Sequence, residues 1–280
     1  MAVEAKVGEV IPRRRSIPWL LAAPALVWLL VFFAIPMVLL GRESLRSGGL
    51  ANYGDVFSGY GEVFRRTFWY ALLATLLCMI LGYPLAYFIA MRARRARNVL
   101  LALVVLPFFT TYLIRTISWV ILLSENGPVP KFLRSLDLLG DSSSIIGTTP
   151  AVVGALAYNF LPFMVLPIYV SLEKIDRRLL EAGPDLYASN WRTFRKVTLP
   201  LSLPGVFAGS LLTFIPAAGD FVNSTFVGGT TTTMIGNVVA ENFDSPGLRP
   251  EMSAISFVLM GIILVGVLIY ARLLGTEELG

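Results

Sequence analysis

The sequence contains no histidine and only one cysteine, Cys78. Without histidine there is no Ser/His or Cys/His nucleophile pair and no His-ligated metal. A single cysteine cannot close an intrachain disulfide. Cys78 lies in an apolar stretch, where it reads as a small buried hydrophobe. Charge is also scarce. Asp, Glu, Lys and Arg make up 15% of the 280 residues, against about 25% in soluble domains. No G-x-x-x-x-G-K-[ST] phosphate cradle occurs, so the chain cannot bind and hydrolyse ATP in that manner. No internal repeat or low-complexity tract stands out.

What is present is apolar. Hydrophobic residues make up 56% of the chain, and the mean hydropathy is +0.72. They lie in long blocks, each near the ~20 residues that cross a hydrocarbon layer of ~30 Å. These blocks predict an all-α membrane protein with six spans, at 18–40, 67–91, 99–123, 149–171, 204–227 and 252–274. The first block, Pro18 to Leu40, carries no charge. It is too long for a signal-peptide core and no small-residue cleavage site follows it, so it reads as a span. Lys and Arg set the orientation. Lys6, Arg13, Arg14 and Arg15 precede the first span, and Arg92, Arg94, Arg95 and Arg97 separate the second from the third. This bias predicts both termini in the cytoplasm, with tails at 1–17 and 275–280. Arg65 and Arg66 fall on the outer side, against the trend. The net charge of +5 then reflects basic inner loops and not nucleic-acid binding.

The inner loop at 172–203 is the most informative segment. Leu172, Ile175, Leu179 and Ala182 recur at helical spacing, and Glu173, Lys174, Arg177, Arg178 and Glu181 fill the other faces. Gly183-Pro184 should end that helix. Ser189 is an acceptable N-cap for a second short helix carrying Trp191, Phe194 and Val197 along one side. Pro200 and Pro204 are expected to stop it before the fifth span. Periodicity alone leaves two readings open: a connector on the lipid headgroups, or an element that docks on a partner.

Particular residues narrow this. Glu181-Ala182, Asp185-Leu186, Ala188-Ser189, Thr193 to Pro200 and Leu203-Pro204-Gly205 resemble the "EAA" loop of ABC importer permeases. The resemblance implies that Glu181, Ala182, Gly183, Asp185, Ser189, Phe194, Leu199 and Pro200 belong to a coupling loop that docks into a cleft on a cytosolic ATPase. Two positions depart from the family pattern. Gly183 stands where Ala is usual, and Tyr187 stands where Gly usually permits a tight turn. The runs around Pro107 to Trp119, Asn126-Gly127, Phe160 to Tyr169, Leu172 to Asp176, Gly219 to Val222 and Met234 to Asn237 are similar to the polyamine (spermidine/putrescine) branch of these permeases.

By this resemblance the fold is that of a type I importer permease in a bacterial inner membrane. A second permease, similar or identical, should enclose the pathway. Two ATPase subunits should bind below and a substrate-binding protein outside. ATP and Mg would sit on the ATPase, and this chain, which is no enzyme, would hold no cofactor or metal. The alternatives are an ABC permease for another small solute, and a self-contained secondary transporter or channel. The latter would favour paired interrupted helices in matching halves, and the sequence shows none.

Two charges fall inside predicted spans, Arg115 and Asp220. Each costs roughly 2.5–3.5 kcal/mol at a helix centre by insertion scales. Thr213, Asp220 and Ser224 follow one helical stripe with Asn223 beside it, and Thr111, Arg115, Ser118 and Trp119 follow another. Three readings stay open. Asp220 could attract a cation, with Trp119 or Tyr158 offering an aromatic face. Arg115 and Asp220 could pair, since both lie about 10–12 Å from the outer ends of their spans. A water-filled vestibule could do neither. Pro216 is expected to kink the fifth span. Gly205 and Gly209, spaced as GxxxG, are expected to pack inside the permease core.

Overall fold

A computed structural model of the chain describes residues 17–93, 95–140, 143–176, 178–181, 187 and 189–274. These residues form helices and turns, and no strand occurs among them. Helix α1 (Ile17–Leu29) runs through a π-turn at Leu30–Ala34 into α2 (Ile35–Ser44). Helix α3 (Ala51–Tyr87) spans 37 residues and continues into a second π-turn at Phe88–Arg92. Then come α4 (Arg97–Val105), α5 (Tyr112–Leu123), α6 (Pro128–Ser135) and α7 (Thr149–Glu173). The remainder comprises α8 (Asn190–Thr193), α9 (Leu199–Ala218), α10 (Val222–Phe226), α11 (Ile235–Asn242) and α12 (Arg249–Leu274).

Five helical stretches are long and apolar enough to cross a membrane, or six if the bent stretch from Arg97 to Ser135 counts as one span. That bend corrects the predicted continuous helix at 99–123. A 3-10 turn at Leu106–Phe109 carries Pro107, and Thr110 and Thr111 are extended, with ψ of 146° and 147°. The proline ring removes an N–H and cannot continue the regular ladder. The axis turns by 94° there. The predicted span at 204–227 is broken too. Helix α9 stops at Ala218, and α10 starts afresh at Val222. Two predicted spans are therefore interrupted where hydropathy shows continuous apolar runs.

The proline expectation at the fifth span also needs correcting. Pro200 and Pro204 do not stop a helix. The helical path runs unbroken from Asn190 to Ala218. A π-turn at Phe194–Thr198 lies just ahead of Pro200, as the one at Leu30–Ala34 lies just ahead of Pro36. Such a wide turn makes room for a proline ring that would clash with the carbonyl four residues back.

The core is α7 with α3 and α9 against it. Val152, Leu156, Met164, Val165, Ile168 and Leu172 of α7 are buried. Ala71, Ala74 and Cys78 of α3 face them without solvent contact. Cys78 is thus the small buried hydrophobe its surroundings predict. Between apolar spans, close packing replaces the aqueous hydrophobic effect as the main attraction. Gly205 shows how close. A Cβ placed there would lie 2.5 Å from the Pro167 carbonyl oxygen of α7, and one on Gly209 would lie 3.0 Å from that of Met164. The GxxxG stripe therefore packs α9 on α7, as expected. By contrast, the apolar stretch from Ala22 to Ser44 is 0% buried across its most hydrophobic window.

Candidate functional site

The two breaks face each other. Asp220 sits where α9 has ended, and its Oδ1 accepts the backbone N–H of Asn223 at 2.8 Å. This is a capping bond, and it restarts the helix as α10. Tyr112, at the start of α5 beyond the other break, donates its hydroxyl to Asp220 Oδ2. The Asn223 amide donates to the Tyr112 oxygen at 2.6 Å. The Asn223 carbonyl oxygen accepts from Asn159 of α7 at 3.0 Å and from Thr116 of α5 at 3.2 Å. Asn223 is fully buried and Asp220 nearly so. Four polar side chains from three segments thus converge on the buried Asn223.

A second network lies beside it. Ser224 donates to the Asn237 side-chain oxygen, and the Asn237 amide donates to the Phe221 carbonyl at 3.1 Å and to Thr225 at 2.6 Å. The Met234 N–H donates to the same Asn237 oxygen at 3.0 Å. These bonds hold α11 against α10.

Arg115 and Asp220 do not form the ion pair considered above. Among the described residues the ion pairs are Arg46–Glu43, Arg65–Glu62 and Arg97–Glu173. Tyr112 serves both groups instead. Its hydroxyl goes to Asp220, and the Arg115 guanidinium lies 5.5 Å from its ring centroid and 5.3 Å from that of Phe108. Each Asp220 oxygen accepts one hydrogen bond, and the residue is 7% exposed. Trp119 and Tyr158 do meet, with ring centroids 5.6 Å apart. They line a cavity of about 280 Å³ beside Arg115, with Thr110 and Ser118. Thr213 is buried on α9 and makes no bond to this network.

Sequence reasoning missed Tyr112, Thr116, Asn159 and Asn237. Asn159 carried a usable signal, as an uncharged but strongly polar residue inside an apolar span. Tyr112 carried none, because only the bend at Thr110–Thr111 brings it to Asp220.

In the segment ahead of α9, Ser189 caps as predicted, its hydroxyl oxygen accepting the Arg192 N–H at 3.3 Å. Phe194 packs edge-on against Tyr83 and Tyr87, at 5.9 and 5.8 Å between centroids, and stacks on Trp191 at 5.5 Å. Leu199 and Pro200 open α9. Glu181 is helical and exposed. Ala182, Gly183 and Asp185 lie outside the described residues. Tyr187 has a φ of +56° and is 99% exposed. That left-handed geometry is the one glycine adopts freely.

These features define a class: a multi-span helical permease whose interior polar contacts gather at two broken spans. Residues 82–275 match the family of binding-protein-dependent transport system inner membrane components. The chain belongs to that family. It is 38% identical over 256 residues to the spermidine/putrescine transport system permease protein PotB of Escherichia coli K12, covering 88% of this chain and 93% of the relative. The inner membrane ABC transporter permease protein YdcU of the same strain is 33% identical over 244 residues, 82% of this chain and 77% of that one. Among solved structures, a bacterial ABC transporter for the import of the acidic polysaccharide alginate superposes with a TM-score of 0.71 at 20% identity, covering 92% of this chain and 96% of its counterpart. At that identity the likeness concerns the fold, that of an ABC importer permease.

Proposed function

We propose that this chain is the membrane subunit of an ATP-driven importer that carries polyamines of the spermidine/putrescine class into the cytoplasm. The observation that carries the cargo is the 38% identity to a spermidine/putrescine permease, sustained over 256 residues. The family supplies the rest of the machine: a second permease, a pair of cytosolic ATPases that hold ATP and Mg, and a binding protein outside. The segment around Glu181, Ser189 and Phe194 is where this chain meets its ATPase, with both termini on the same side. Exposed Trp191 and Tyr187 and the exposed Glu181 support that reading. Nucleotide-driven movement at this segment would swing the helices between inward and outward openings. The test is uptake of labelled putrescine and spermidine into proteoliposomes holding the assembled transporter and its binding protein. ATP-dependent uptake of either supports the proposal. An assembled transporter that hydrolyses ATP but moves neither would overturn the cargo.

A further inference from the structure

No anion pairs with Arg115 among the described residues. Arg115 is 8% exposed, and its Nε and Nη1 have no hydrogen-bond partner among the described residues. A desolvated guanidinium without a counter-charge is costly in a bilayer, and such groups are found paired or facing a wet cavity. The groups around it do not supply the charge. Phe108 and Tyr112 offer ring faces. Thr110, Ser118, Trp119 and Tyr158 line the adjoining cavity of about 280 Å³ and are all uncharged. Among the described residues the acid on the neighbouring network, Asp220, is taken up by Tyr112 and Asn223. The cavity opens beside an uncovered apolar face of α5, formed by Leu113, Ile114, Ile117 and Ile121.

We infer that the cavity receives a carboxylate from an Asp or Glu side chain of the second permease subunit, pairing with Arg115 across the interface between the two. Guanidinium and carboxylate match in charge and in planar two-point geometry. The surrounding apolar stripe suits another apolar helix carrying one acid. The inference rests on the proposed function, because a polyamine is a cation and cannot itself supply the charge. The pair would also remove a repulsion: an unneutralised guanidinium beside the path of a polycation would oppose its passage.

The experiment uses the assembled transporter in proteoliposomes. With photo-reactive benzoylphenylalanine in place of the exposed Ser118, irradiation should yield a cross-linked peptide of the second permease that contains an Asp or Glu. Arg115→Gln should lower polyamine uptake by at least about tenfold, the scale of removing one partner of a buried charge pair. Arg115→Lys should recover part of that loss. Suppressors of Arg115→Glu should convert the cross-linked acid to Lys, Arg or a neutral residue. Cross-links confined to lipid or to this same subunit would overturn the inference, as would suppressors that map only within this subunit. ATPase stimulation by a carboxylated amine but not by spermidine, lost in Arg115→Gln, would assign the anion to the cargo and overturn it too. Wild-type transporter without polyamine uptake, but with the acid-bearing cross-link, would instead retire the cargo assignment and keep the interface.

Discussion

The hydroxyl of Tyr112 donates to the carboxylate of Asp220 and so fastens the break in one span to the break in another. Asp220 thereby has two tasks, since it also caps α10 through the Asn223 N–H. Asp220→Ala should remove both and destabilise the protein by about 2–4 kcal/mol, combining a cap with a hydrogen bond to a charged group. Tyr112→Phe should cost less. In a double-mutant cycle followed by thermal unfolding in detergent, the two should be non-additive by about 0.5–3 kcal/mol. Additive effects would show that the two residues act apart.

Asn223 is the node of the network. Asn223→Ala leaves the Asn159 amide without its acceptor, while the Thr116 hydroxyl keeps the Tyr112 backbone carbonyl at 3.2 Å. An orphaned buried group costs about 1–3 kcal/mol. The variant should therefore unfold at a clearly lower temperature, and Asn223→Asp should not restore it. Full stability in Asn223→Ala would mean that water or a shifted side chain replaces the network.

The contact of α9 with α7 leaves no space at Gly205. A Cβ there would meet the Pro167 carbonyl at 2.5 Å. Gly205→Val should destabilise by about 1–3 kcal/mol, as other forced over-packing does. Gly261 of α12 serves as the contrast, because nothing lies within 4 Å of a Cβ there. Gly261→Ala should be neutral or stabilising by up to about 1 kcal/mol, since alanine loses less entropy in a helix. Equal thermal shifts for both would contradict the packing.

Phe194 joins the segment ahead of α9 to α3 through Tyr83 and Tyr87. Phe194→Ala should loosen that joint while leaving nucleotide hydrolysis on the ATPase intact. The expected reading is a lower ratio of polyamine imported to ATP hydrolysed, with hydrolysis retained. A fall in both by the same factor would point to lost assembly instead.

Tyr187 holds a left-handed backbone that costs a non-glycine residue about 1–2 kcal/mol. Tyr187→Gly should relieve the strain, offset in part by the greater freedom glycine has when unfolded. Thermal stability should rise slightly. Tyr187→Val should lower it, because a β-branched residue fits this region worst. The opposite order would sink the account.

The spans could be read from the sequence because a ~20-residue apolar block reports on its solvent directly. The cap at Ser189 could be read because its partner is three residues away. The breaks could not. Pro107, Thr110 and Gly219 sit inside apolar runs, and hydropathy averages them away. Pro200 misled in the opposite sense, since a π-turn accommodates a ring that the rules of a regular helix forbid. The pairing of Arg115 with Asp220 looked reasonable from depth alone. Depth says nothing of azimuth, and the bend in the third span rotated Tyr112 to Asp220 in its place. Asn159 lies 64 residues from Asn223, too far for any local pattern to connect them.

The uninterrupted helical path from Asn190 to Ala218 has a mechanical meaning. At 1.5 Å per residue its 29 residues form a rod about 43 Å long. Trp191 stands at one end and the gap before Asp220 at the other. Had Pro200 broken the rod, a push at the Trp191 end would have been lost in a joint. As built, displacement of that end reaches the far tip with little loss, and the first joint it meets is the one latched by Tyr112.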